Sequence, residues 1–171
     1  MSNTVQAAAE IRATLKREHG WSRRQVSVRA DLYSMGSTIH VTIMDVSVPI
    51  AVVRSVVEPF EHVRHCEVTG EILCGGNTHV SLDYSPSAIE PLVAPIDALL
   101  ATVAADPGAL VELQGGWIAM KDPDAGEYWR AWRTTGELPE LDARADIYCW
   151  GRLFCAKQIA IANINASAVA S

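Results

Sequence analysis

With 171 residues, 49% hydrophobic and 20% charged, the chain can bury a core without disulfide or metal staples and is too apolar to remain disordered. The 14 Lys and Arg stand against 20 Asp and Glu, and the net charge of -6 excludes a surface that grips a phosphate backbone on every side. The charge is two-ended: residues 1–30 hold 6 basic and 2 acidic residues, the rest 8 basic and 18 acidic. A basic lobe for an acidic partner fits that split, and so does an amphipathic helix followed by an edge strand whose polar faces carry Arg and Lys.

In chain order, Val5, Ala8, Ile11 and Leu15 repeat at helical spacing and predict a helix over residues 5–18, ended by Gly20. Residues 25–30 alternate, with Val26, Val28 and Ala30 on one face, and predict a half-buried strand. Residues 31–37 carry the turn formers of a hairpin loop, after which Ile39, Val41 and Ile43 resume the alternation and send His40 and Thr42 to the opposite face. Pro49 starts a second helix bearing Ile50, Val53, Val56, Val57 and Phe60. After the Gly75-Gly76-Asn77 breaker a strand is predicted over residues 78–84, with Val80, Leu82 and Tyr84 on one face.

Ser87 and Glu90 form a capping box ahead of an apolar run from Ile89 to Val103, and Pro91 and Pro95 push the expected helix start towards Pro95. Asp106-Pro107 predicts a short helix to Leu113, Trp117 to Met120 a brief strand, and Glu127 to Arg133 a short helix presenting Tyr128, Trp129 and Trp132. A loop at Gly136-Glu137-Leu138-Pro139 precedes a long helix over residues 142–164, in which Ile147, Trp150, Phe154, Gln158 and Ile161 keep helical spacing, and residues 166–171 fray. The expected fold is α+β: a small antiparallel sheet with two helices packed on one face (residues 1–85), then a mainly helical part (residues 86–171) that either stands alone or shares one core with the first.

No window reaches the roughly 18 to 20 uninterrupted apolar residues of a membrane span. The N-terminus lacks the apolar stretch of a signal peptide. A cytosolic protein with reduced cysteines is the expectation, without contact to a membrane. His62, His65, Cys66, Cys74 and His79 offer zinc-type donors at spacings that match no finger or ribbon, so no metal and no cofactor is assigned.

The pieces Ile11-Arg12, Leu15-Lys16, Val26-Ser27-Val28-Arg29, Tyr33-Ser34, Gly36-Ser37, Ile39 and Val41, followed by Gly70-Glu71-Ile72-Leu73 and Gly75-Gly76-Asn77-Thr78 with Val80 and Tyr84, occur in one order. In this the chain resembles the large polyvalent protein-associated domain 29 over residues 7–85. It departs from that pattern at residues 44–49, Met-Asp-Val-Ser-Val-Pro, where the family often carries an aromatic residue and a Gly-Pro turn. The resemblance implies a protein of phages or other mobile elements that acts against host defences, and it brings no catalytic residues with it.

No GxSxG, P-loop or HExxH motif occurs. An enzyme would need His40 or His79 to meet a second titratable group in a pocket. Gly75-Gly76-Asn77 could cradle an anion with backbone N–H groups, or be a turn that needs positive φ. The leading expectation is a non-enzymatic protein that binds a host protein complex, such as an anti-CRISPR, through Tyr128, Trp129, Trp132 and Trp117, residue types common at interface hot spots and equally suited to a small second core. The alternative is a nucleic-acid-binding accessory protein using Arg23, Arg24, Arg29, His40 and His79, with Tyr33 the one nearby stacking residue. A homo-oligomer stays open.

Overall fold

A computed structural model describes residues 3–34, 36–73, 75–134 and 146–169 and shows an α+β protein. The expected loop at residues 136–139, the start of the long helix at residue 142 and the end of the tail at residues 170–171 lie outside the described residues. The chain divides into two compact units, Met1–Ala88 and Ile89–Ser171.

The first unit begins with α1 (Asn3–His19), which buries Ala8, Ile11 and Leu15 and closes where the Gly20 N–H reaches the Lys16 carbonyl. Strands β1 (Val26–Tyr33) and β2 (Gly36–Ile43) pair antiparallel from Val26 opposite Ile43 to Tyr33 opposite Gly36. Both run further into the connector than alternation alone indicates, because cross-strand pairing continues through residues that look like turn formers. α2 (Ile50–Val57) and a 3-10 turn (Glu58–Phe60) follow, then β3 (Asn77–Tyr84).

The sheet is mixed rather than antiparallel: β3 runs parallel to β2, with Ile39 beside Val80 and Ile43 beside Tyr84. A helix between two strands returns the chain in its original direction, so strand, helix, strand produces a parallel pair. α1 contacts β1, β2 and α2, while α2 contacts β3. Tyr84 ties the layers together: its buried hydroxyl donates to the Val48 carbonyl at 2.7 Å and accepts from the Ile50 N–H at 3.1 Å, at the start of α2. Burial pushes its pKa up to about 12.

α3 (Pro86–Val103) opens one residue before the expected capping box and not near Pro95, because the Ser85 hydroxyl caps the Ala88 N–H and Pro86 takes the first helical position. Pro91 and Pro95 stay inside the helix on its exposed side, opposite Ile89, Val93, Ile96 and Leu100, so the carbonyls they leave without donors can face water. By length and composition α3 is also one helix that could cross a bilayer, with a mean hydropathy of 1.3. Its Asp97 makes a two-pronged ion pair with Arg152.

The second unit contains a four-stranded antiparallel sheet, of which only the strand at Trp117 to Met120 was expected; the segments of its other three strands were read as helix. Its strands are β4 (Val111–Leu113), β5 (Trp117–Lys121), β6 (Tyr128–Arg133) and β7 (Ile147–Trp150), joined in that order, and α4 (Arg152–Val169) follows. The segment read as a helix at residues 127–133 is therefore β6, and the long helix read from residue 142 is β7 plus α4. Gly151 makes the break: at φ 86 it holds a left-handed turn that a helix interior excludes. Asp122, buried at the end of β5, is pushed up by burial but more than compensated by the Asp124 N–H and Arg130, which together hold it below the usual carboxylate range.

Candidate functional site

Two surfaces are candidates. On the first sheet, the register sets Arg29, His40 and Ser81 in one row and Asp31, Thr38 and His79 in the next, on the face away from the Val28, Val41 and Ile39 core. Arg29 and His40 both turn to the same carboxylate: Asp31 Oδ2 lies 3.4 Å from Arg29 Nη2 and 3.2 Å from His40 Nε2. Tyr33 spends its hydroxyl on Thr38 at 3.3 Å. His79 is adjacent, and Asp83 occupies the same face. Arg23 and Arg24 are exposed in the turn before β1. The register thus gathers Arg29, His40 and His79, but with carboxylates among them, and water screens such pairs on an open sheet.

Between the 3-10 turn and β3 the chain forms an arm with two isolated antiparallel bridges, His65 to Ile72 within it and His62 to Thr78 of β3. Gly75 and Gly76 take φ 86 and 74, and Asn77 then pins the arm: its Nδ2 donates to the Leu73 carbonyl and its Oδ1 accepts from the Arg64 N–H. Of the His/Cys cluster, Cys74 lies outside the described residues, and among the described residues no three His, Cys, Asp or Glu group as metal ligands. The Thr69 hydroxyl and the Thr69 and Val68 backbone N–H groups hold the Cys66 thiol below its usual range.

In the second unit the tryptophans separate into two sets. Trp117, Trp129 and Trp132 are buried and serve as core rather than as surface anchors; Tyr128 is partly exposed and stacks on Tyr148. Trp117 donates its indole N–H to Asn163 of α4 at 3.0 Å, while the buried indole N–H groups of Trp129 and Trp132 find no acceptor among the described residues. Trp150, Leu153 and Phe154 instead stand 68, 60 and 50% exposed. They line a largely apolar groove of about 440 Å³ with Gly151, Arg152 and Lys157, at the corner where β7 turns into α4.

The spacing of Trp150 and Phe154 suggested an inward helical stripe. The turn at Gly151 places Trp150 at a strand end and Phe154 in the first turn of α4, both outside the core. Leu153 gave no signal in the periodicity. A glycine between two aromatic residues in an apolar run was the available clue. Compared with known proteins, the chain matches no family model, no curated protein and no solved structure.

Proposed function

We propose that the chain is a non-enzymatic binding protein that docks a protein partner through the ridge Trp150, Leu153 and Phe154. The observation that carries this is the exposure of three large apolar side chains around one groove in a unit that buries its other tryptophans. Exposed apolar patches of that kind mark interaction sites, and aromatic residues dominate binding energy at interfaces. The second unit holds 11 acidic and 6 basic residues, so the fitting partner is a protein with a basic surface, such as one that otherwise holds nucleic acid.

In this reading α1 and α2 share the apolar face of the first sheet and leave the Arg29 and His40 face open. The protein reading is preferred to a nucleic-acid one because Arg29 and His40 share Asp31 and the face also carries Asp83. The resemblance over residues 7–85 supports a mobile-element protein directed at a cytosolic host defence complex, an argument by analogy.

The test is affinity capture from host extract with the wild type and with Trp150→Ala/Phe154→Ala, followed by titration of the purified partner. A basic protein held only by the wild type, and more weakly as salt rises, is expected. Equal capture by both proteins overturns the ridge. Binding of RNA or DNA that is lost in Arg23→Ala/Arg24→Ala, with the ridge variant unaffected, would transfer the function to the first unit.

A further inference from the structure

The ridge is bracketed by two cysteines. Cys149 lies on β7 opposite Trp129, and Cys155 lies in the first turns of α4, with only residues 150–154 between them. The Gly151 turn folds the chain back on itself, and the Cys155 N–H closes onto the Gly151 carbonyl at 3.1 Å. The two side chains meet, the Cys155 thiol donating to the Cys149 sulfur. Both are reduced; Cys155 is fully buried, and Cys149 keeps a 7% opening to solvent. Hydrogen bonding from Cys155 holds the Cys149 thiol below its usual range, while the Cys149 sulfur and burial push Cys155 up. The sulfur held below its usual range is thus also the one of the two that keeps an opening to solvent.

We propose that Cys149 and Cys155 are a modification site at which a hydroperoxide closes an intramolecular disulfide around the Trp150–Phe154 ridge. The Cys149 thiolate attacks one peroxide oxygen and becomes a sulfenic acid; the departing hydroxide takes up a proton and leaves as water. The Cys155 sulfur then attacks the Cys149 sulfur, the S–O bond breaks, and a second water forms with the Cys155 proton. Two thiols lose two electrons and hydrogen peroxide gains them. A dithiol reductant reverses the step by exchange. Five residues and the reversing Gly151 turn separate the two cysteines, whose side chains interact, so the disulfide joins neighbours in the fold. That the disulfide would fix the binding surface rests on the docking role proposed above; the disulfide itself does not.

The experiment uses the full chain treated with hydrogen peroxide under native conditions, then alkylated in denaturant and digested with trypsin. Cleavage after Arg144, Arg152 and Lys157 leaves the two cysteines on separate peptides, residues 145–152 and 153–157. The expected result is one crosslinked species 2 Da lighter than the two reduced peptides together. It should persist in Cys66→Ser/Cys74→Ser and disappear with dithiothreitol. In Cys155→Ser the reaction should stop at a sulfenic acid on Cys149 that dimedone traps. Free, alkylated Cys149 and Cys155 after peroxide, or pairing of either with Cys66 or Cys74, overturns the proposal. The same crosslink in Trp150→Ala/Phe154→Ala separates this chemistry from the docking reading, since that variant loses binding and keeps the dithiol.

Discussion

The two sheets bury their side chains differently. In the first, Val26, Val28, Ile39, Val41 and Ile43 are buried while Arg29, Asp31, His40 and Thr42 on the opposite face remain at least partly exposed. In the second, β5 is buried on both faces, Trp117 and Ala119 on one and Ile118 and Met120 on the other. A sheet with one wet face writes its strands as alternation, whereas a strand buried on both sides reads as a continuous apolar run. The difference also moves the surface available for binding. The open face of the first sheet is a polar plane, whereas in the second unit Trp150, Leu153 and Phe154 are exposed together around one groove where β7 meets α4.

The comparison breaks most readily at β6. Trp129→Ala should cost about 3–5 kcal/mol and unfold the second unit first in urea, whereas Thr42→Ala on the open face should stay within about 0.5 kcal/mol. Equal costs would show that the two sheets are not packed differently.

Within the first unit, Tyr84→Phe leaves the Val48 carbonyl and the Ile50 N–H unpaired and should cost about 1–3 kcal/mol. Its pH signature has a definite sign. Tyr84 is raised from 10 to about 12 in the fold, so its contribution is complete below pH 10 and is lost as pH rises through about 12. Alkaline denaturation curves of wild type and Tyr84→Phe should therefore converge over that window, and a constant gap would contradict the burial of the hydroxyl.

Gly115→Ala sharpens the account of the second sheet. Gly115 has φ 81, and a Cβ there would come within 2.5 Å of Asn163 Oδ1, the acceptor of the Trp117 indole. A loss of about 1–3 kcal/mol in thermal unfolding is expected. Asp97→Asn, which weakens a partly exposed ion pair with Arg152, should cost the least, about 0.2–1 kcal/mol, and less at high salt.

What could be read in the chain follows the same division. α1, α2 and the strands around Val28, Val41 and Leu82 were visible because each keeps one periodicity and one polar side. The parallel pairing of β3 was implicit in the order strand, helix, strand but was hidden by the long arm between α2 and β3. β6 was misread because Tyr128, Trp129 and Trp132 sit at spacings a helix also uses, and its small Ala131 does not mark the alternation. The β7 to α4 corner was misread because a helical stripe was carried across Gly151. The polar neighbours Arg29 and His40 could be placed on one face by parity alone, but their common partner Asp31 was not legible, because β1 was ended before it. The ridge required knowing which tryptophans the second sheet consumes, which depends on pairing between strands that are distant in sequence.

The central claim is that Trp150, Leu153 and Phe154 are where this protein meets its partner. Backbone hydrogen exchange of the full chain with and without the captured partner tests it most directly. The account predicts added protection concentrated at residues 150–157, with β1 and β2 unchanged; protection on residues 27–42 with none at the ridge would contradict it.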